Sequence, residues 1–293
     1  MALRYPDFMC IGAQKAGTSW LHQMLKQHPR VWLPPTKEMH YFDVVHVDGV
    51  AGKRPDKDLM RPPSVARALT AVKWTMQSKL ASIKKLDRIY SASLIGLREM
   101  TDEWYGRIFE RVPAGVLCGD ITPGYAILPD DGIEHILRLR SGTRIIFIIR
   151  DPIDRAWSEV RMVQKLVGAA NVAAVPGLIG SDRFYARCDY MATIERFRKY
   201  VPESDFLLLY FDDIAQQPRE FMTKICTFLG LDDSQAQFKS LFETIHQGVP
   251  GTITPTHYDL LKKRLALVYE RLRTLNNPIV DGWYRKHYQR PGA

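Results

Sequence analysis

Residues Gly12-Ala13-Gln14-Lys15-Ala16-Gly17-Thr18-Ser19 form the most chemically loaded run of this sequence. They follow an apolar segment, Phe8–Gly12, and precede helical spacing at Trp20, Leu21, Met24 and Leu25. A glycine-rich strand-to-helix turn presents unpaired backbone N–H groups at the positive end of a helix dipole, which makes it an anion site. The spacing from Gly12 to Gly17 matches the nucleotide loop G-x-x-x-x-G-K-[ST], except that Thr18 stands at the lysine position and the loop's lysine is Lys15. A lysine inside the loop suits neutralisation of a leaving anhydride oxygen. A second anion site is encoded where the apolar run Arg144–Ile149 ends on Arg150, with Ser158 eight residues further, about two helical turns along. Arginine at the carboxyl end of a buried strand projects into the crevice where open α/β sheets bind ligands, and its fork can hold a phosphate through two hydrogen bonds. Between these runs, Lys37-Glu38-Met39-His40-Tyr41-Phe42-Asp43 supplies a carboxylate and an imidazole, the groups that take a proton from a hydroxyl. Beside phosphate-binding cations, Glu38 is expected to stay ionised.

The three runs together resemble those of sulfotransferases that use 3′-phosphoadenosine-5′-phosphosulfate (PAPS). K-x-G-T-[ST] after the first strand looks like that family's 5′-phosphosulfate loop. By that resemblance Lys15, Gly17, Thr18 and Ser19 would bind the 5′-phosphate and sulfate, with Ala16 and Trp20 supplying backbone contacts. The run from Arg150 to Ser158 resembles the 3′-phosphate motif R-D-P-x-x-R-x-x-S, which implies that Arg150 and Ser158 grip the 3′-phosphate. The third run resembles K-E-x-H-F-F-D of the heparan-sulfate branch, in which the glutamate is the general base. Glu38 is then the base candidate, with His40 a second catalytic candidate, His40 and Asp43 shaping the site, and His40 and Tyr41 touching the acceptor. Gly119-Asp120-Ile121-Thr122-Pro123-Gly124-Tyr125 resembles G-E-K-[ST]-P-x-Y, which puts Thr122 and Tyr125 along the acceptor cleft. Ile121 replaces the lysine of heparan-modifying members and points away from a glycosaminoglycan acceptor. A glycine-containing loop at 246–252, centred on Gly248, would close over the nucleotide. The resemblance implies in-line transfer of sulfonate from PAPS to a hydroxyl, leaving 3′-phosphoadenosine-5′-phosphate (PAP). It implies a small-molecule, lipid or glycan acceptor and requires no metal.

The elements that must position these residues alternate between strand and helix. Apolar runs at Phe8–Gly12, Val31–Leu33, Val116–Gly119, Arg144–Ile149 and Phe206–Tyr210 read as strands. Helices are predicted over Thr18–Gln27, Asp102–Arg111, from Pro152 to about Val167, Asp189–Tyr200, from Pro218 to Leu229, and Pro255–Leu275. Gly168–Gly180 reads as a loop of small residues. The run Ile145–Ile149 lacks polar alternation, as the interior of a parallel sheet does. The expected fold is therefore a P-loop-like three-layer α/β domain, a mostly parallel sheet between helices, covering residues 1–293 as one unit. A basic helical insertion around 53–110 is expected to frame the acceptor cleft.

Composition bounds the alternatives. The 293 residues are 46% apolar and 25% charged with a net charge of +9, ordinary for a globular chain and favourable to an anionic ligand. No apolar run approaches a membrane span, no secretory leader pattern is present, and the four cysteines form no CxxC pair, so a cytoplasmic protein without a membrane span is expected. The absence of HExxH or clustered carboxylates gives no metal site. A P-loop kinase or nucleotide hydrolase would need a lysine at position 18 and magnesium ligands. A nucleic-acid binder would have to use the basic stretch from Lys53 to Glu99, which lacks aromatic-rich RNA motifs; no nucleic-acid partner is expected. Oligomeric state is left open.

Overall fold

The computed structural model of the chain describes residues 2–48, 90, 94–95, 99–167, 175–242 and 253–289. Most of the insertion expected at 53–110, together with Gly248 and its loop, lies outside the described residues.

Five strands form one sheet: β1 (Phe8–Gly12), β2 (Val31–Trp32), β3 (Leu117–Ile121), β4 (Arg144–Ile149) and β5 (Phe206–Tyr210), in the order β2-β3-β1-β4-β5. All four pairings are parallel, as the uninterrupted apolar runs require. Residues Phe8, Cys10, Ile11 and Ile145–Ile149 have no exposed surface, so both faces of the central strands are covered. The chain leaves β1 in the middle of the sheet, with β3 on one side and β4 on the other. Such a reversal of strand order opens a crevice at the carboxyl ends of the strands.

The helices are α1 (Thr18–Leu25), a short α2 (Tyr41–Asp43), α3 (Asp102–Phe109), α4 (Asp130–Leu139), α5 (Pro152–Val167), α6 (Val175–Gly180), α7 (Asp182–Ala186), α8 (Tyr190–Arg198), α9 (Phe211–Gln216), α10 (Pro218–Leu229), α11 (Pro255–Leu272) and α12 (Pro278–Tyr288). Two differ from expectation. The small-residue stretch before Gly180 contains α6, because Val175 and Ile179 stand one turn apart and are both buried. Beyond the helix expected over Pro255–Leu275, which is α11 closed by a 3-10 turn at Arg273–Leu275, a further helix follows: Asn276 turns left-handed (φ 48°), then the Asn277 side chain accepts from the Ile279 N–H at 2.9 Å and Pro278 opens α12.

The two C-terminal helices are fastened to the end of β4. Buried Asp151 accepts hydrogen bonds from the Ile153 N–H (3.0 Å), His287 Nε2 (2.8 Å), Lys286 Nζ (3.1 Å) and the Tyr269 hydroxyl. Burial alone would raise its carboxyl, but the His287 and Lys286 contacts hold it below the usual range. Arg150, its neighbour, is thereby released to face the crevice side of the sheet rather than pair with Asp151.

Candidate functional site

Four of the candidate segments follow the carboxyl end of a strand: Lys15 after β1, Lys37 to His40 after β2, Thr122 after β3 and Arg150 after β4. The loop after β1 turns into α1 through Gly17, which is left-handed (φ 84°). A Cβ there would lie 2.6 Å from Ile214 Cδ1, so only glycine lets the loop pack against α9. No side chain caps the first turn of α1 and no acidic residue stands in it, which leaves its N–H groups available to an anion.

Arg150 Nη1 donates to the Lys15 carbonyl at 3.1 Å, and its guanidinium stacks 4.5 Å over the Phe211 ring. The end of β4, the loop after β1 and the start of α9 are thus tied together by one cation. Burial, and then the nearby charges of Arg150 and Arg161, pull the Lys15 ammonium below its usual value; Lys37 adds to the effect. Four crowded cations with an open helix N-terminus fit a ligand carrying several negative charges. Ser158 lies on α5, two turns beyond Arg150, and is buried. Trp20 turns its indole into the core, where Nε1 donates to the Leu241 carbonyl at 3.1 Å, so only its backbone is left for a ligand.

Glu38 sits between two cationic partners. Lys37 Nζ is 2.6 Å from Oε1, and His40 Nε2 is 3.3 Å from Oε2. Lys37 also donates to Thr18 Oγ1 at 3.2 Å, which joins the base candidate to the first residue of α1. Burial would raise the Glu38 carboxyl, but His40 and Lys37 outweigh it and bring the value down to about 2. His40 in turn places Nδ1 2.7 Å from Asp43 Oδ2. Burial opposes charge on this imidazole, yet Asp43 and Glu38 together push it up to about 9.

Thr122, Tyr125 and Tyr41, expected along an acceptor cleft, have a different place. All three are buried. Asp120 accepts from Thr122 Oγ1 (2.7 Å), the Tyr105 hydroxyl (2.8 Å) and the Tyr125 hydroxyl (2.9 Å). The same Thr122 and Tyr125 oxygens accept from the backbone N–H groups of Met39 (2.9 Å) and Tyr41 (3.1 Å). The Tyr41 hydroxyl is spent on Asp102 at 2.5 Å. These side chains therefore brace the Glu38–His40 segment from behind, since a fully covered hydroxyl with its bonds made has no face left for a substrate.

A family model described as the sulfotransferase family matches residues 6–235. The chain belongs to the sulfotransferase family. Human heparan sulfate glucosamine 3-O-sulfotransferase 6 is 21% identical over 235 residues, 78% of this chain and 53% of that protein. The membrane-associated sulfotransferase kil1 of Dictyostelium discoideum is 22% identical over 157 residues, 53% of this chain and 22% of that protein. The chain thus spans about half, or less, of the length of these curated relatives. Among solved structures, a sulfotransferase from Alicyclobacillus acidocaldarius superposes with a TM-score of 0.60 at 17% identity, covering 97% of this chain and all of that one. The sulfotransferase domain from the curacin biosynthetic pathway gives 0.55 at 17% identity over 92% of this chain and 98% of that one. The central five-stranded parallel sheet flanked by helices is accordingly the P-loop-like fold of these sulfotransferases. Among the described residues, no helix is long and apolar enough to cross a membrane.

Sequence reasoning gave Lys37 no role, although it stands beside Glu38 in the same motif. The signal was available only as a charge next to Glu38; its second contact, to Thr18, is made across the fold, 19 residues away in sequence. Asp151, Asp154 and His287 have ligand-like spacing, but Lys286 Nζ lies 3.1 Å from Asp151 and 2.9 Å from Asp154, so those carboxylates already hold a cation. This favours the sulfotransferase site over the magnesium-dependent kinase or hydrolase, whose lysine position is filled by Thr18.

Proposed function

We propose that this sulfotransferase-family chain moves a sulfonate from PAPS to an acceptor hydroxyl, with Glu38 as general base. The observation that carries the reading is the contact of Lys37 with both Thr18 and Glu38, which sets an ionised carboxylate beside an anion-ready helix terminus. As substrate, PAPS brings a sulfonate already activated on a phosphate anhydride. Lys15, Thr18 and Ser19, with the backbone of Ala16, Gly17 and Trp20, hold the 5′ end; Arg150 and Ser158 hold the 3′-phosphate. Glu38 takes the acceptor proton as the new O–S bond forms, and the bond from sulfur to the bridging oxygen breaks. Lys15 then meets the negative charge left on the departing phosphate, so that positioning and charge stabilisation lower the barrier.

The acceptor is a hydroxyl on a small molecule, lipid or glycan precursor. Ile121, buried in β3, stands where heparan-modifying members carry a lysine, which takes the proposal away from a glycosaminoglycan despite the human relative's name. All four cysteines are unpaired and buried, which supports a reducing, cytoplasmic setting.

Calorimetric titration with PAP, against ADP as control, tests the reading. Binding of PAP should depend on the 3′-phosphate, and Arg150→Ala should weaken it roughly 10- to 100-fold, the scale of lost charge-assisted hydrogen bonds. Equal or tighter binding of ADP with magnesium would sink the sulfotransferase reading.

A further inference from the structure

A carboxylate clamped by two cations is a poor proton acceptor, and Glu38 is clamped by Lys37 on one oxygen and His40 on the other. To act as a base it must shed one of them. His40 is poorly placed to leave, because its Nδ1 is tied to buried Asp43 at 2.7 Å. Lys37 is different. Its ammonium is a compact charge on a flexible four-carbon stem, and its second partner is a neutral hydroxyl, Thr18 Oγ1, at the first residue of α1. An anion seated at that helix terminus would outcompete the hydroxyl and draw the ammonium from Glu38.

We propose that Lys37 is a charge-exchange positioning residue: it serves as counter-ion to Glu38 in the free protein and passes to the donor's anionic end on binding, which frees Glu38 to take the acceptor proton. The idea rests on Glu38 being the base, and it deepens that reading by coupling base activation to donor occupancy. In the free protein the base is held idle; it becomes competent only when there is a sulfonate to transfer.

The groups around Glu38 leave Lys37 as the exchangeable partner. From its own segment Glu38 meets Lys37 and His40, with Asp43 behind His40. From α1 it is near His22, which burial and the Lys26 and Lys37 charges hold down at about 3, so His22 is neutral and cannot substitute for a cation. From the loop after β1, Lys15 feels the charge of Lys37 but belongs to the anion site. Removing one cationic partner from a carboxylate raises its midpoint by roughly one to three pH units.

The test is a carboxyl carbon-13 NMR titration of the full chain labelled at glutamate, with the Glu38 signal assigned by its loss in Glu38→Gln. In the free protein the signal should stay ionised down to the lowest pH at which the chain is folded. With saturating PAP its midpoint should rise by roughly one to three pH units. In Lys37→Met the midpoint should already be raised without nucleotide and PAP should add nothing, while Lys37→Arg should restore the nucleotide-dependent rise. PAP that binds without moving Glu38 in the wild-type chain overturns the exchange and leaves the sulfotransferase reading standing. PAP that fails to bind overturns that reading and the exchange with it. Should Lys37→Met not fold, the wild-type comparison with and without PAP still decides.

Discussion

Replacing Asp43 by Asn should lower the His40 midpoint by roughly one to two pH units, the usual effect of removing a close opposite charge. The carboxylate is 2.7 Å from His40 Nδ1 and is itself buried, so solvent screens the pair weakly. Burial disfavours the imidazolium, yet Asp43 and Glu38 raise it from 6.5 to about 9. At 1.36 kcal/mol per pH unit, that rise is worth about 3 kcal/mol of coupling between the proton and the fold. The sign follows from the direction. A histidine whose folded value is raised contributes its stability in full below 6.5 and loses it as pH climbs towards about 9. Asn keeps the shape of the side chain and can still accept from Nδ1–H, so the loss isolates the charge. Imidazole carbon–proton NMR spectra would read it directly. The chain has eight histidines, and His40 is assigned by its absence in His40→Gln. Urea unfolding at pH 6 and pH 10 gives the second reading: the wild-type chain should lose about 3 kcal/mol through this group and the Asn variant distinctly less. A wild-type midpoint at or below 6.5, or an Asn variant that leaves it unchanged, refutes the reasoning.

Two further outcomes follow from the same geometry. Gly124→Ala puts a Cβ 2.3 Å from Asp43 Oδ2, so the carboxylate must leave His40; the chain should lose about 1–3 kcal/mol, or roughly 3–10 °C in Tm by calorimetry, and the His40 midpoint should fall as in the Asn variant. Asp151→Asn removes the negative charge and one of the two acceptor oxygens shared by His287, Lys286 and Tyr269 and should cost about 3 kcal/mol or more; amide exchange should rise across Pro255–Leu272 and Pro278–Tyr288 while β1 and β3 stay protected.

What was legible in the sequence is what chain order alone determines. The run Ile145–Ile149 reads as a covered parallel strand and Gly17 before Thr18 as a strand-to-helix turn, and the structure has both. Lys15 and Arg150 each follow a strand end, and the fold brings them together, with Arg150 donating to the Lys15 carbonyl. The misplacements have a common cause. Thr122, Tyr125 and Tyr41 are adjacent to site residues in the motifs, but adjacency says nothing about which way a side chain turns. Buried Asp120 decides that for Thr122 and Tyr125, whose hydroxyls it collects together with that of Tyr105, and Asp102 takes the Tyr41 hydroxyl. Lys37 went without a role for the same reason, since its tie to Thr18 spans a fold-level contact. The second C-terminal helix was readable from Asn277-Pro278, a cap followed by a first-turn proline.

The backbone carries an independent trace of the site. Among the described residues, six non-glycine positions adopt positive φ, and three of them are Lys15 (70°), Glu38 (67°) and His40 (53°). Each such conformation costs of order 1–2 kcal/mol for an ordinary side chain and persists only where surrounding bonds over-determine it. Those bonds are present. Arg150 holds the Lys15 carbonyl, Thr122 takes the Met39 N–H between Glu38 and His40, and Tyr125 takes the Tyr41 N–H just after His40. Thr122 and Tyr125, two of the residues expected along the acceptor cleft, are therefore the ones that hold the Glu38–His40 segment in its strained turn. Strain at these positions does what an extended chain could not: it doubles the segment back so that Glu38 and His40, two residues apart, bring their side chains to 3.3 Å while Lys37 still reaches Thr18. The proposed base, its imidazole partner and the cation proposed to exchange thus come from four consecutive residues, and the loop after β3 supplies the anchors that keep them there.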